Sequence, residues 1–289
     1  MGFFSNLAFR LFSPLSETLA YYLVDLRSDL KKSRLRISVQ EYLNGILMTT
    51  FLFFLISMPI LSLLFAYIFV EFLFAFITAF TLSTVFSVIV FTFSINYPKL
   101  LMQGRAKEID NSLPFAALYI STVASSRLPL HKTLEIFSKF SNYGEITKEI
   151  GELVNDMKSF GLDLNTAIER QMERTPSKKF TELLWGILSV MRVGADVSVY
   201  LKERSNSFMA EYRRKIAEFS RTLTLYIELY LTSIVLGTIF FTILTAIIAG
   251  IGGAQTNVIF LQFMLIFIFL PVISIVFILL IKSSTPSGE

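Results

Sequence analysis

The 289-residue sequence has no cysteine, one histidine and one tryptophan. Without cysteine there is neither a disulfide framework nor a thiolate metal site, and a single imidazole, His131, excludes any site built from several. No Gly-Lys pair occurs anywhere, which excludes a P-loop, and neither an H-E-x-x-H helix nor a Gly-x-Ser-x-Gly elbow is present. Charge is also scarce, with 17% charged residues against 54% hydrophobic ones, 30 of them phenylalanine. Together with a mean hydropathy of +0.63, this places the chain among membrane proteins.

Four runs are long enough to cross an apolar layer that needs roughly 20 helical residues. They are Gly45 to Val70, Phe72 to Ile95, about Leu223 to Ala249 and about Val258 to Ile281. Only Glu71 interrupts the first two, and Gly250, Gly252, Gly253, Gln255 and Asn257 supply a turn between the last two. Both pairs are therefore expected to be hairpins. Lys and Arg crowd the N-terminal flank (Arg27, Lys31, Lys32, Arg34, Arg36), the exit of the second span (Lys99, Arg105, Lys107), the approach to the third (Arg213, Arg214, Lys215, Arg221) and the end of the fourth (Lys282). Neither hairpin tip has any, so the positive-inside rule puts both termini and the central segment in the cytoplasm. GFFSNLAFRLF lacks the long apolar centre of a cleaved signal peptide. Phe3, Phe4, Leu7 and Leu11 share one side of a helix there, which suits either the membrane surface or packing on the cytoplasmic domain.

The resulting fold class is an all-α polytopic membrane protein, with four spans in two hairpins flanking a cytoplasmic helical bundle. Its expected parts are a cytoplasmic N-terminal segment (1–44), a first hairpin (45–96), a helical domain (97–222), a second hairpin (223–281) and a tail (282–289). Within the domain, Ile146, Ile150, Leu153, Met157 and Phe160 predict an amphipathic helix over Glu145 to Phe160. Phe180, Leu183, Leu184, Ile187, Leu188 and Met191 predict another, with Thr175 as its cap and Pro176 in its first turn.

One punctuation recurs three times: RLPLHKTL from Arg127, GLDLNTAI from Gly161 and GADVSVYL from Gly194. Gly161 and Gly194 suit a helix end that needs positive φ, while Asp163 and Asp196 can cap the next helix and Pro129 can open it. Arg127 is the weakest of the three, because an L side chain is strained in the left-handed region. The interval of roughly 33 residues matches ankyrin and tetratricopeptide arrays, but neither signature is present. A compact bundle with three tight corners is the preferred reading.

These residues resemble a known family. SLPFAALYISTVASSRLPLHKTLEIF, the long text from EITKEIGELVNDMKSF through RTPS to VGADVSVYLKERSNSF, and the following hairpin are similar to the type II secretion system F family. These are inner-membrane platform proteins of type II secretion, type IV pili and archaella, with the archaeal and tight-adherence branches closest. The resemblance covers roughly Ser112 to Gly253. It implies a non-enzymatic platform that docks a cytoplasmic ATPase and helps pass pilin-like subunits into a filament. Many members carry two helical domains and this chain has room for one, which implies a homodimer or pairing with a second short platform protein. Neither cofactors nor nucleic acid are expected. A transporter or permease subunit driven by a separate ATPase is the alternative, although few polar residues in the spans leave no evident substrate path.

Three groups of residues are candidates for contacts. Arg213, Arg214 and Lys215 can meet lipid head groups or an acidic ATPase surface. Glu149, Glu152 and Asp156 form an acidic edge whose default is a solvated face, the alternatives being an ATPase or a divalent cation. Glu228 lies inside the third span near its cytoplasmic end between Tyr226 and Tyr230, as a snorkelling group or as a contact for a pilin or second subunit.

Overall fold

The computed structural model describes residues 3–35, 37–68, 71–140, 142–252, 260 and 263–284. Its elements are α1 (Phe3–Tyr22), α2 (Val24–Lys32), α3 (Val39–Ile68), α4 (Phe72–Ala124), α5 (Leu130–Phe140), α6 (Glu145–Phe160), α7 (Leu164–Arg174), α8 (Lys178–Val193), α9 (Val197–Gly252) and α10 (Leu270–Ser284). A π-helical stretch, Leu265–Phe269, leads into the last of these. No strand occurs among the described residues, and four helices are long and apolar enough to cross a membrane. The chain divides into two compact units, Met1–Leu201 and Lys202–Glu289.

In the first unit α3 and α4 form the expected hairpin. Small residues at four-residue steps on α4, Ala75, Ala79, Ser83 and Ser87, are all buried, so the two backbones can approach closely. Ser57 and Ser83 hydroxyls meet at 2.6 Å, and Phe54 packs edge-on against Phe80. Pro98 lies inside α4 and cannot donate to the carbonyl of Ser94, four residues back. The Tyr42 hydroxyl donates to that carbonyl instead, at 2.6 Å, and so satisfies the group that proline orphans.

α1 packs against α3, with Phe12 edge-on to Phe51. Leu19 and Leu23 meet the buried Leu26, Leu30 and Leu43 at the other end, so α1 runs antiparallel along the first span. It follows the span and not the helical domain, because its apolar side finds a hydrophobic partner there. The side chains of Phe3, Phe4, Leu7 and Leu11 lie outside the described residues.

Helix α4 does not stop at the end of the apolar run. It continues for 53 residues, and its last third packs into the bundle through Ile109, Leu113, Ala116, Ala117 and Ile120, all buried. Leu134 and Phe137 of α5, Ile146, Ile150 and Leu153 of α6, Ile168 of α7 and Phe180, Leu183, Leu184, Ile187 and Leu188 of α8 complete the core, with Met191 half-buried at its edge. The boundaries expected at 97 and 222 thus fall inside continuous helices, since leaving the membrane changes the side chains required and not the backbone's preference for helix.

All three corners form. Gly161 and Gly194 end α6 and α8 at φ 64° and 75°, and Arg127 takes φ 63° despite its side chain. Asp163 accepts from the Thr166 amide and Asp196 from the Ser198 amide, as the caps require. Pro129 immediately precedes α5, and its carbonyl accepts the Lys132 and Thr133 amides. One expected cap is corrected. Ser177, whose hydroxyl accepts from the Phe180 amide, caps α8, whereas Thr175 ends α7 and Pro176 stands between the two helices. Phe160 is also outside the core it was expected to join. It is exposed, with the Arg170 guanidinium 5.4 Å from its ring.

The second unit contains the other hairpin. Tyr230 reaches Ser274 at 3.2 Å and packs on Phe277, and Phe241 packs on Phe269 opposite Gly237. Helix α9 runs to Gly252, so Gly250 and Gly252 are helical and not part of the turn. Gly253, Gln255 and Asn257 lie outside the described residues.

The bundle is tight where α8 meets the start of α9. A Cβ on Gly186 would stand 1.8 Å from the Tyr200 hydroxyl, whereas one on Gly151 would meet nothing within 4 Å. Gly186→Ala should therefore lower stability by about 1–3 kcal/mol through overpacking. Gly151→Ala should raise it by roughly 0.5–1 kcal/mol through helix propensity. Thermal unfolding of the detergent-solubilised protein measures both.

Candidate functional site

The acidic residues of α6 face inward. Glu149 is 1% exposed and Asp156 3%, so neither is on the solvated face expected for this charge run. Burying a carboxylate requires partners that restore what water supplied, and two arginines from distant parts of the chain provide them.

Arg34 follows α2 directly, at φ 61°. The Leu35 amide reaches back to the Leu30 carbonyl and the Arg34 amide to that of Lys31, the pattern of a Schellman ending in which glycine normally takes the left-handed position. An arginine here is strained by roughly 1 kcal/mol or more, and its side chain explains the choice. Its guanidinium meets Glu145 at 3.0 Å, Glu149 at 3.1 Å and Glu152 at 2.9 Å. Arg105, on α4, reaches Glu145 at 2.9 Å and Glu149 at 2.6 Å, and also donates to the Lys32 carbonyl.

Glu149 accepts a further bond from Gln171 of α7 at 2.5 Å, and Lys148 meets Glu145 at 2.6 Å. One helical face thus ties α6 to α2, α4 and α7. Two more contacts extend the clamp: Arg174 to Asp156 at 3.0 Å and Lys31 to Glu173 at 2.9 Å. α4 also organises the helix starts. Glu108 accepts from the Glu145 amide at 3.1 Å, and Asp110 accepts the hydroxyl of Ser177, the α8 cap.

Two neighbouring carboxylates respond differently to this environment. Burial is the largest influence on Glu149 and pushes its carboxyl up from the ordinary 4.5 despite Arg34 and Arg105. Burial also raises Glu145, but hydrogen bonds from Lys148 and Arg105 and the charges of Arg34 and Arg105 outweigh it and hold this carboxyl below 4.5. Glu145 therefore stabilises the fold above its unfolded value, and that contribution is lost on acidification. Glu149 has the opposite sign, favouring the fold below its unfolded value and losing that contribution as pH rises through its folded value.

The remaining candidates belong to the second unit. Arg213, Arg214 and Lys215 are exposed on α9, where Lys215 pairs with Glu211 at 3.4 Å and Arg214 with Glu218 at 3.9 Å, one turn away in each case. Glu228 is exposed on the same helix, while Tyr230 turns to α10. His131 is exposed at the start of α5. No cluster of His, Cys, Asp and Glu suited to a metal occurs among the described residues. In the sequence Arg34 and Arg105 stand out only as markers of orientation. The signal for Arg34 was its place after LKKS, where a helix end usually has glycine.

Removing one member of the clamp separates a buried partner from an exposed one. Glu149→Gln should lower unfolding stability by about 2 kcal/mol, because donors face both of its oxygens and the amide nitrogen that replaces one of them leaves a buried donor unpaired. Glu152→Gln, at a half-exposed pair, should lower it by less than about 1 kcal/mol. Chemical unfolding in detergent compares the two, and equal losses would contradict the buried role of Glu149.

Comparison with known proteins fits this geometry. A family model described as type II secretion system (T2SS), protein F matches residues 116–245, from the last turns of α4 through the three corners into the third span. An uncharacterized protein of Methanocaldococcus jannaschii is 28% identical over 203 residues, covering 68% of this chain and 34% of that protein. The chain thus spans about a third of this curated relative's length. No solved structure matches. The matched segment includes Glu145, Glu149 and Glu152 but neither Arg34 nor Arg105, so the clamp joins it to the chain's N-terminal portion. Over residues 116–245 this multi-pass membrane protein carries a domain of the type II secretion system protein F family.

Proposed function

We propose that this protein is a non-enzymatic membrane platform that couples a cytoplasmic ATPase to the insertion of pilin-like subunits into a pilus-like filament or type II secretion-like system. The family domain marks a membrane platform of the secretion and pilus type in general. The observation that carries the finer reading is the clamp at Glu149. It fixes the helical domain to α4, whose other half is a membrane span, so a force on the domain reaches the first hairpin without crossing a flexible linker.

In this reading both termini and the helical domain are cytoplasmic, as the distribution of Lys and Arg supports. Arg213, Arg214 and Lys215 form an exposed basic strip for anionic lipid and for an acidic surface of the ATPase. Glu228, exposed on a helix that crosses the membrane, is the contact for a pilin-like subunit or second platform subunit. In the same reading it works as a homodimer or beside a second short platform protein.

Three results test this. Charge reversal at Arg213, Arg214 and Lys215 should weaken co-purification of the ATPase while membrane insertion is unchanged; full co-purification would remove the strip from the interface. Arg34→Gln should leave the protein in the membrane and bound to its ATPase but stop filament or pseudopilus growth, and normal growth would contradict coupling through the clamp. Glu228→Gln should block assembly at normal protein abundance, and normal filaments would remove Glu228 from the contact. ATPase-dependent solute flux through liposomes holding the wild-type protein would move it to the transporter class.

A further inference from the structure

We infer that the elbow formed by α1, α2 and α3 is a binding site for one anionic phospholipid, its phosphate held by Arg27 and Lys31. The elbow encloses a groove of about 1060 Å³ that includes Leu23, Leu35 and Val39 in its lining. Among the described residues between Ala20 and Gln40, that lining carries the charged residues Arg27 and Lys31, both cationic. They stand four apart on α2 and so share a face. Asp25 and Asp29 are offset from them by two residues, roughly 200° around the helix. Leu26 and Leu30 occupy the inward side, buried against Leu43. α2 thus presents its positive charges to an apolar groove and directs its negative ones elsewhere, which selects an amphiphile with an anionic head.

The level of the groove fits a lipid. α1 follows the first span, with Phe12 against Phe51, and its last turns pack near Leu43. Val39, in the groove lining, precedes the apolar run that begins at Gly45 by roughly 9 Å of helix, which sets the groove at the outer edge of the head-group layer. Tyr21 and Tyr22 are 80% and 77% exposed at this level, where an interfacial aromatic belt would sit.

The two cations are not equivalent. Arg27 is exposed and has no ion-pair partner among the described residues, whereas Lys31 is engaged by Glu173 of α7 at 2.9 Å. A lipid phosphate competes with Glu173 for Lys31. Lipid binding therefore loosens one tie between the elbow and the helical domain while leaving the Arg34 and Arg105 contacts in place. This inference does not depend on the proposed platform role.

Native mass spectrometry of the full-length protein, with phosphatidylglycerol and phosphatidylcholine of equal chain length, tests the site. The wild type should retain one phosphatidylglycerol in preference to phosphatidylcholine. Arg27→Gln combined with Lys31→Gln should weaken that retention roughly tenfold or more, while Arg27→Lys should keep it. Glu173→Gln, which frees Lys31, should strengthen retention several-fold, a gain that a misfolded variant cannot imitate. Equal retention by the double variant, equal retention of phosphatidylcholine, or no gain in Glu173→Gln would each overturn the proposal. Loss of a dimer in the double variant with lipid retention intact would also overturn it, assigning the groove to a second copy of the chain.

Discussion

Glu149 keeps a carboxylate where water does not reach, and the architecture of the first unit depends on how that group is satisfied. Its oxygens accept from Arg34, Arg105 and Gln171, three residues on three different elements. If any of those elements moved away from α6, a buried charge would lose a partner. A buried ion cluster contributes little net stability compared with an apolar replacement, because desolvation offsets the attraction. Its value here is specificity: it selects one register between α6, α4 and the turn after α2. The left-handed arginine in that turn fits the same logic, as backbone strain is accepted in exchange for a side chain that reaches three carboxylates.

Continuity of the long helices gives the clamp its consequence. α4 extends over 53 residues, roughly 80 Å, with a membrane span at one end and the first bundle helix at the other. Pro98 falls near the junction, and the Tyr42 hydroxyl repairs the carbonyl that it leaves unpaired, so the helix passes the proline with its hydrogen bonding intact. The helical domain is accordingly an extension of a membrane helix, fixed a second time through Arg34 to the segment that leads into α3. Such an arrangement suits the proposed platform role.

Much of this was legible in the sequence. The apolar runs marked the spans, the three glycine or arginine corners marked the bundle, and α6 occupies the residues its periodicity predicted. The hidden parts share one cause, which is that sequence patterns are local. Glu149 and Asp156 read as a solvated edge because the cations that bury them come from other elements, and for Glu149 those are Arg34 and Arg105 far along the chain. Ser177 replaced Thr175 as the cap because both satisfy the same local preference, and tertiary contact with Asp110 favours Ser177. The continuity of α4 and α9 was masked because hydropathy reports the surroundings of a helix and not where it ends.

If the clamp holds the N-terminal portion to the family domain, Arg34 and Glu149 are energetically coupled across that join. A double-mutant cycle on unfolding, using Arg34→Gln, Glu149→Gln and the pair, measures that coupling directly. A coupling of more than about 1 kcal/mol is expected. Additive effects, with a coupling near zero, would contradict it.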